Sequence, residues 1–569
     1  MNANVIEALT QFVPQLLPEL LVVLGACLLF LGATFRLHRD VMGLAALATL
    51  LIAGLVFTYN LGNIPSLEIE RTKASTLTGD ARLAADNAIE AKLFSAPVLN
   101  TQLSLFLKGL ALITGILLVW MGWDEAGNEH AGEYHGCLLL IVAGISLVGA
   151  ANDLATLFLA LELVSIPTYV LLYLPRADQP AQEAAMKYFL LSVFSSGLML
   201  FGFSYLYGLT GTTNIPGIVT GLEREPTGPI PWVGVSLLAL LMVVAGLGFR
   251  ITAVPFHFYA PDVYQGTTTP ITAMLAFVPK VVGFVALIRL LGYAPGLTTM
   301  EPLPGRIAGE YGLTLGEQVP MLLWIMAAVT MTLGNILALL QDNIRRLIAY
   351  SSVAHAGYML IGLAVVPMLS SGRDGPAPGE AVGGLEALLF YLVAYGAMTL
   401  GFLAVIYYLD PNDRPLRSVD DLAGLGKSHP GLALLLALFL FSLIGMPLTA
   451  GFAGKFMLFF NAMGLSGASG DHARLFRILA LIAAVNAAIG SWYYLRMIAV
   501  MYLREAIDPL PKPRLAPVVG TIAFCAILTL GLGVYPKALL TLIRRAIPQG
   551  PETAGIAKIL PADKTVVRN

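Results

Sequence analysis

Apolar stretches of about 20 residues recur along most of the chain, separated by short polar connections. A helix needs about 20 residues to cross the roughly 30 Å hydrocarbon core of a bilayer, so each stretch predicts one spanning helix. The pattern predicts an all-α polytopic membrane protein with about fourteen transmembrane helices. They are expected at residues 14–34, 41–60, 101–121, 134–150, 152–174, 182–208, 231–258, 268–291, 319–340, 345–366, 384–408, 431–462, 474–502 and 516–536.

Two of these segments are too long for one straight span, and each contains a proline: Pro255 in residues 231–258 and Pro447 in residues 431–462. A proline inside a helix removes a backbone hydrogen bond and clashes with the preceding turn, so both helices are expected to be broken. Broken helices at corresponding positions of two halves are typical of transporters with inverted repeats. We therefore expect two inverted five-helix repeats, each containing one broken helix.

This interpretation divides the chain into four parts. The first is a group of three N-terminal helices with a polar periplasmic insertion, and the last is helix 14 with a C-terminal tail. The two five-helix repeats, helices 4–8 and helices 9–13, lie between them. The expected bounds are 1–130, 131–291, 319–502 and 503–569.

Positive charges in the short connections predict the orientation. They follow odd-numbered helices and comprise Arg36, Arg39, Arg176, Arg345, Arg346, Arg414, Arg417, Lys427, Arg504, Lys512 and Arg514. Cytoplasmic loops carry an excess of Lys and Arg, so this side is expected to face the cytoplasm. Both termini are then on the periplasmic side of a bacterial inner (plasma) membrane.

The composition agrees with a membrane protein, since 57% of residues are hydrophobic, 12% are charged and the mean hydropathy is +0.79. A net charge of −2 gives no basic footprint for nucleic acid. The cysteines Cys27, Cys137 and Cys525 stand alone in apolar spans, so neither a disulfide framework nor an iron–sulfur pattern is predicted.

Several ionisable residues lie inside the predicted spans, where a charge costs about 2.5–3.5 kcal/mol and persists only with a partner, water or a function. They are Glu162, Lys187, Arg250, Lys280 and Lys455, accompanied by His257 and His355. Each of them alone is compatible with a structural ion pair, a snorkelling side chain or hydrogen-bonded packing. Lys280 and Lys455, however, lie too far from a helix end for a four-carbon stem to reach the interface.

A series of acids, bases and histidines across a membrane is what proton transfer requires. Burial favours the neutral form of an amine, and a nearby carboxylate favours the charged form. We therefore expect Lys187 to lie beside Glu162, so that a change in this pairing moves a proton. Gly454 and Lys455 are followed by Phe456 and not by Ser or Thr, so the segment is not a phosphate-binding loop. Neither a dinucleotide-binding fingerprint nor a zinc motif is present, and the chain is expected to bind no cofactor or metal itself.

Three segments resemble a known family. They are VPFHFYAPDVYQGTTTPITAMLAFVPK (254–280), QDNIRRLIAYSSVAHAGYML (341–360) and GMPLTAGFAGKF (445–456). In this order they resemble the subunit N (subunit 2) family, one of the antiporter-like subunits of the proton-pumping NADH-quinone oxidoreductase, respiratory complex I. Subunits L and M, and the subunits of sodium/proton antiporters, have a stretch ending in PDAH where this chain has APDVYQG.

The resemblance implies roles for the buried residues. Glu162, Lys187, Lys280 and Lys455 match the family's glutamate of helix 5 and its lysines of helices 6, 8 and 12. His257 and His355 match histidines of its hydrated central axis. Arg250 stands where the family has lysine, and an arginine cannot be deprotonated under ordinary conditions. It is expected either to be a fixed charge that tunes Glu162 or to be bypassed by the proton through water.

The function implied is that of a membrane-arm subunit that conducts protons while NADH oxidation and quinone reduction occur elsewhere in the complex. FMN, iron–sulfur clusters and quinone would belong to the parent complex, and the neighbours would be subunit M and small subunits such as K. Two alternatives remain open. One is a subunit of a multi-subunit cation/proton antiporter, and the other is a scaffold whose charges only tie helices together.

Overall fold

A computed structural model describes residues 13–64, 66–176, 178–223, 232–292, 315–370, 383–410, 416–464, 470–506 and 517–547. The regular structure in these ranges is helical, with no β-strand among them, which confirms the predicted all-α fold. The helices are α1 (Leu17–Ala33), α2 (Arg39–Asn63), α3 (Leu67–Ser75), α4 (Gly79–Ser95), α5 (Gln102–Met121), α6 (Ala131–Ala150), α7 (Leu154–Tyr173), α8 (Gln179–Thr210), α9 (Ile215–Glu223), α10 (Trp232–Arg250), α11 (Ala260–Gly266), α12 (Thr269–Leu287), α13 (Leu315–Leu339), α14 (Ile344–Ser370), α15 (Gly384–Leu409), α16 (Leu425–Ser428), α17 (Pro430–Ile444), α18 (Ala450–Met463), α19 (Gly470–Leu503), α20 (Val518–Val534) and α21 (Lys537–Ala546).

Ten helices in the described ranges are long and apolar enough to cross a membrane, and the bent pair α20 and α21 would make an eleventh span. Three shorter apolar helices, α1, α10 and α17, coincide with further predicted segments. The chain is therefore a multi-pass membrane protein, while the count of fourteen helices stays a prediction. The division into two inverted repeats also stays a prediction.

Both predicted helix breaks are present. α10 ends at Arg250 and α11 begins at Ala260, with Pro255 between them. α17 ends at Ile444 and α18 begins at Ala450, with Pro447 between them. Each break leaves the last carbonyl groups of the preceding helix without partners from a continuing helix.

Three helices form the centre of the structure. Every residue of α12 is buried, and so is every residue of α15 except Tyr408. The stretch of α14 from Ser351 to Val365 is buried as well. α12 and α14 both pack against α15. Outer helices such as α8 and α19 expose large apolar side chains, including Phe194 and Trp492, as expected of surfaces that face lipid. Polar side chains on the three central helices are therefore shielded from both water and lipid.

Candidate functional site

Glu162 and Arg250 form an ion pair between α7 and the end of α10. The Nη2 atom of Arg250 lies 2.8 Å from Oε1 of Glu162, and only 5% of the arginine side chain and 18% of the glutamate side chain are exposed. Arg250 also donates to the carbonyl of Leu161 at 3.2 Å and to the hydroxyl of Ser165. The hydroxyl of Ser196 donates to the same oxygen of Glu162 at 2.6 Å. The arginine thus compensates the buried carboxylate at short range.

The prediction that Lys187 lies beside Glu162 is wrong. The Nζ atom of Lys187 lies 2.6 Å from Glu183 and 2.7 Å from Asp262, and 39% of its side chain is exposed. Lys187 and Ser196, which contacts Glu162, are both on α8, and nine residues of helix rise separate them by roughly 13 Å. Asp262 is shared with Arg346 at 2.6 Å, so Lys187 belongs to a half-exposed charged cluster beside α11.

Lys280 lies in the middle of α12 and is completely buried. Its Nζ atom donates to the hydroxyl of Thr252 at 2.9 Å, across the break that follows α10. The same atom lies 5.9 Å from the centre of the Tyr395 ring on α15. The break therefore provides the hydrogen-bond acceptor for this amine.

His355 on α14 joins two tyrosines from other helices. Its Nδ1 atom lies 2.6 Å from the hydroxyl of Tyr391 on α15, and its Nε2 atom lies 3.1 Å from the hydroxyl of Tyr494 on α19. Its ring also packs against Tyr395 and Tyr358, with centroids 5.2 Å and 5.8 Å apart. Both ring nitrogens thus face hydroxyl groups that can donate or accept a proton.

Lys455 on α18 is buried beside the second break. Its Nζ atom donates to the carbonyl groups of Leu443 and Ile444 at 2.7 Å and 3.0 Å. It also lies 5.0 Å from the centre of the Tyr358 ring. Those carbonyls end α17, where the helix dipole is negative, so the site is suited to a cation.

Together these contacts make one row of buried side chains. Lys280, Tyr395, His355, Tyr358 and Lys455 follow one another, and each contacts the next. The structure thereby brings together three of the residues singled out from the sequence, and Glu162 with Arg250 as a separate pair. His257 lies partly buried between α10 and α11, and in the described part of the chain no hydrogen bond joins it to the other six.

Several buried polar residues were not predicted from the sequence. Glu19 and Lys108 form an ion pair at 3.0 Å in which each side chain is 4% exposed, and Ser146 donates to the same oxygen of Glu19. Glu19 lies in the first turn of α1 and Lys108 in the second turn of α5, and a charge in an apolar helix was the available signal. The tyrosines of the central row carry no such signal, because tyrosine is common in apolar helices. Within the described ranges no group of three or more His, Cys, Asp and Glu residues could hold a metal ion.

The known proteins that are similar to this chain are related to one another. Residues 151–303 and 308–479 match the family model described as "NADH:quinone oxidoreductase/Mrp antiporter, TM". NADH-quinone oxidoreductase subunit N of Trichlorobacter lovleyi is 37% identical over 457 residues, which cover 80% of this chain and 85% of that protein. Subunit N 2 of Rhizobium meliloti is 33% identical over 95% of this chain and 98% of its own. A chain of respiratory complex I from Thermus thermophilus with bound aureothin superposes with a TM-score of 0.67 and 27% identity, over 92% of this chain and 98% of that one.

Proposed function

From the premise that the chain belongs to the NADH:quinone oxidoreductase/Mrp antiporter transmembrane family, we propose that its buried charges carry protons across the membrane. The chain is a subunit of the N type in NADH-quinone oxidoreductase, as its relatives of 33–37% identity are. The alternative, a subunit of a separate cation/proton antiporter, has less specific support, because these two relatives are both named for subunit N.

One observation carries the proposal: the continuous buried row from Lys280 through Tyr395, His355 and Tyr358 to Lys455. A completely buried amine that merely tied helices together would have a carboxylate partner, because an unpaired buried charge is costly. Lys280 and Lys455 have instead a hydroxyl group and two carbonyl groups. Such acceptors suit an amine that gains and loses a proton, since neither form is locked by an opposite charge.

Arg250 acts in this proposal as a fixed positive charge. A guanidinium keeps its proton under ordinary conditions, so Arg250 places a fixed positive charge beside Glu162 and does not itself relay a proton. The Glu162 and Arg250 pair then modulates the charge felt at Lys280, because the end of α10 packs directly against α12. A Cβ at Gly283, one turn after Lys280, would lie 3.3 Å from Cβ of Arg250.

The half-exposed cluster of Lys187, Asp262 and Arg346 is proposed to be the entrance to the path. It lies beside the connections that carry arginines, which we propose to face the cytoplasm, with both termini in the periplasm. Tyr264 is buried two residues beyond Asp262 on the same short helix. Protons would thus enter near α11 and reach Lys280 along the broken helix.

The remaining parts of the proposal concern the assembly. We expect the chain to contribute proton translocation, while FMN, iron–sulfur clusters and quinone are bound by other subunits of the complex. We also expect it to lie next to subunit M and to small subunits such as K. Membership of the complex supports other membrane-arm subunits as partners, and cross-linking within the purified membrane arm tests whether M and K are among them.

Lys280→Met in the assembled complex is the deciding experiment. The change keeps the length and the apolar stem of the side chain but removes the titratable amine from the row. We expect proton uptake by proteoliposomes during NADH oxidation to be abolished or strongly reduced. Lys427→Met is the matched control, because Lys427 is 73% exposed and, in the described part of the chain, its ion pair is with an exposed glutamate.

Assembly of both variants is checked by native electrophoresis of the purified complex. Pumping by the Lys280→Met complex at the level of the control would contradict the proposal. If the purified parent complex that contains this chain does not oxidise NADH, the antiporter alternative is favoured instead.

A further inference from the structure

The turn after α10 has an unusual residue at the position with left-handed backbone conformation. The amide of Thr252 donates to the carbonyl of Phe249, and the amide of Ala253 donates to the carbonyl of Gly248. These two bonds define a Schellman motif, whose residue in the left-handed conformation is usually glycine. Here that residue is Thr252, with φ of 58°. A β-branched residue is strained in this conformation, so the turn alone does not explain the threonine.

The second broken helix provides a comparison within the same chain. After α17 the left-handed position is occupied by Gly445, with φ of 96°. The buried amine beside that break, Lys455, finds its acceptors in the carbonyls of Leu443 and Ile444. A glycine thus suffices to end the helix where backbone carbonyls hold the lysine.

At the first break the acceptor is the side chain of Thr252. Its hydroxyl donates to the carbonyl of Ile251 at 2.6 Å, which orients its lone pairs toward Lys280. The hydroxyl is therefore committed to accepting from the amine. In the described chain no second hydrogen bond to the Lys280 amine is present, and both residues are buried.

The turn is held tightly against α12, so this geometry is imposed by packing. A Cβ at Gly283 would lie 2.5 Å from Cγ2 of Ile251, which shows how closely the two elements approach. Titratable or charged side chains near Lys280 on the neighbouring helices include Tyr395 of α15, His355 of α14 and Arg250 of α10. Tyr395 donates its own proton to Ser352, and Arg250 is directed toward Glu162.

We propose that Thr252 is a positioning residue for proton transfer, whose hydroxyl holds and stabilises the protonated amine of Lys280. The strained threonine is then retained at a glycine position because of this hydrogen bond. The inference rests on the proposed function, in which Lys280 carries the proton. It adds that the broken helix itself sets how readily Lys280 gives the proton up.

Three substitutions in the assembled complex distinguish the effect of the Thr252 hydroxyl from the effect of the turn conformation. Thr252→Gly relieves the strain and removes the hydroxyl, Thr252→Val keeps the branched shape and removes the hydroxyl, and Thr252→Ser keeps the hydroxyl. The readouts are NADH-driven proton uptake by proteoliposomes as a function of pH, and the thermal stability of the complex.

We expect the Gly and Val variants to lose pumping at alkaline pH. The alkaline limb of their pH profile should move by about one to two pH units to lower pH. This is the size expected of a hydrogen bond to a charged group. The direction follows because the protonated amine loses its acceptor and therefore releases its proton at lower pH. The Ser variant should keep the parent profile, and the Gly variant should be at least as stable as the parent.

A parent-like pH profile in both the Gly and the Val variant would overturn the inference. So would a shifted profile in the Ser variant equal to that in the Val variant. Lys280→Met, measured in parallel, tests the proposed function separately. A defective Lys280→Met complex with parent-like Thr252 variants refutes only the role of Thr252, whereas a fully active Lys280→Met complex refutes the proposed function.

Discussion

The buried pair of Glu162 and Arg250 allows the electrostatic part of the proposal to be tested quantitatively. Arg250→Met leaves the largely buried carboxylate of Glu162 with one donor among the described residues, the hydroxyl of Ser196. Removing one partner of a buried ion pair typically costs about 3–5 kcal/mol. Glu162→Gln should cost less, about 1–3 kcal/mol, because the amide oxygen still accepts from Arg250 and the guanidinium keeps its bonds to Leu161 and Ser165.

The double variant decides between a structural and a functional role. A neutral pair leaves no uncompensated charge, so combining Glu162→Gln with Arg250→Met should recover most of the stability lost by Arg250→Met alone. Thermal denaturation of the purified complex measures this recovery. If the pair only ties α7 to α10, proton pumping should recover with stability. If the charges tune Lys280, as proposed, the double variant should be stable and should pump poorly.

Arg250→Lys tests whether the proton passes through this position. A lysine keeps the positive charge beside Glu162, so pumping by the Lys variant should stay close to that of the parent. A route through position 250 predicts the opposite, a turnover several times faster, because lysine can release its proton. A double variant that pumps like the parent, or a Lys variant that is markedly faster in proteoliposome assays, would refute the electrostatic role of Arg250.

Two further predictions concern the other buried charges. Lys455→Glu should reduce NADH-driven pumping more than Lys455→Gln does, because a carboxylate would face the carbonyl groups of Leu443 and Ile444. Equal pumping by the two variants would contradict this arrangement. Lys108→Met should destabilise the complex by about 3–5 kcal/mol, as judged by thermal denaturation, and Glu19→Gln in the same chain should restore much of the loss. A Lys108→Met complex as stable as the parent would show that this pair does not hold α1 against α5.

The parts of the structure that follow from local chemistry were predictable. Pro255 and Pro447 break their helices because a proline cannot take part in the helical hydrogen-bond pattern, wherever the helix lies. Likewise Lys280 and Lys455 are buried because no long side chain can reach the interface from the middle of a span. These expectations follow from position along one helix and do not require knowledge of its neighbours.

Pairings between helices were not predictable in the same way. Glu162 and Lys187 are close in sequence, yet the partner of Glu162 is Arg250, which is 88 residues away. The partner is determined by how far α8 and α10 slide along α7, and the hydrophobic pattern of a lipid-exposed helix does not define that shift. The tyrosines of the central row were missed for a related reason, since their role comes only from the contact with His355.

The two breaks hold their lysines with different acceptors, and this difference bears on the direction of transfer. Lys280 donates to one hydroxyl, whereas Lys455 donates to two carbonyl groups at the negative end of α17. Two carbonyl dipoles at a helix end should stabilise a protonated amine more than one hydroxyl does, so under the proposed function we expect a proton on the row to be held more firmly at Lys455. If the row carries protons as proposed, we expect transfer from Lys280 through His355 to Lys455 to be favourable, and release from Lys455 to be the step that needs work. That work must come from elsewhere in the complex, because the described residues around Lys455 offer no carboxylate or second amine in hydrogen-bond contact to drive the proton off.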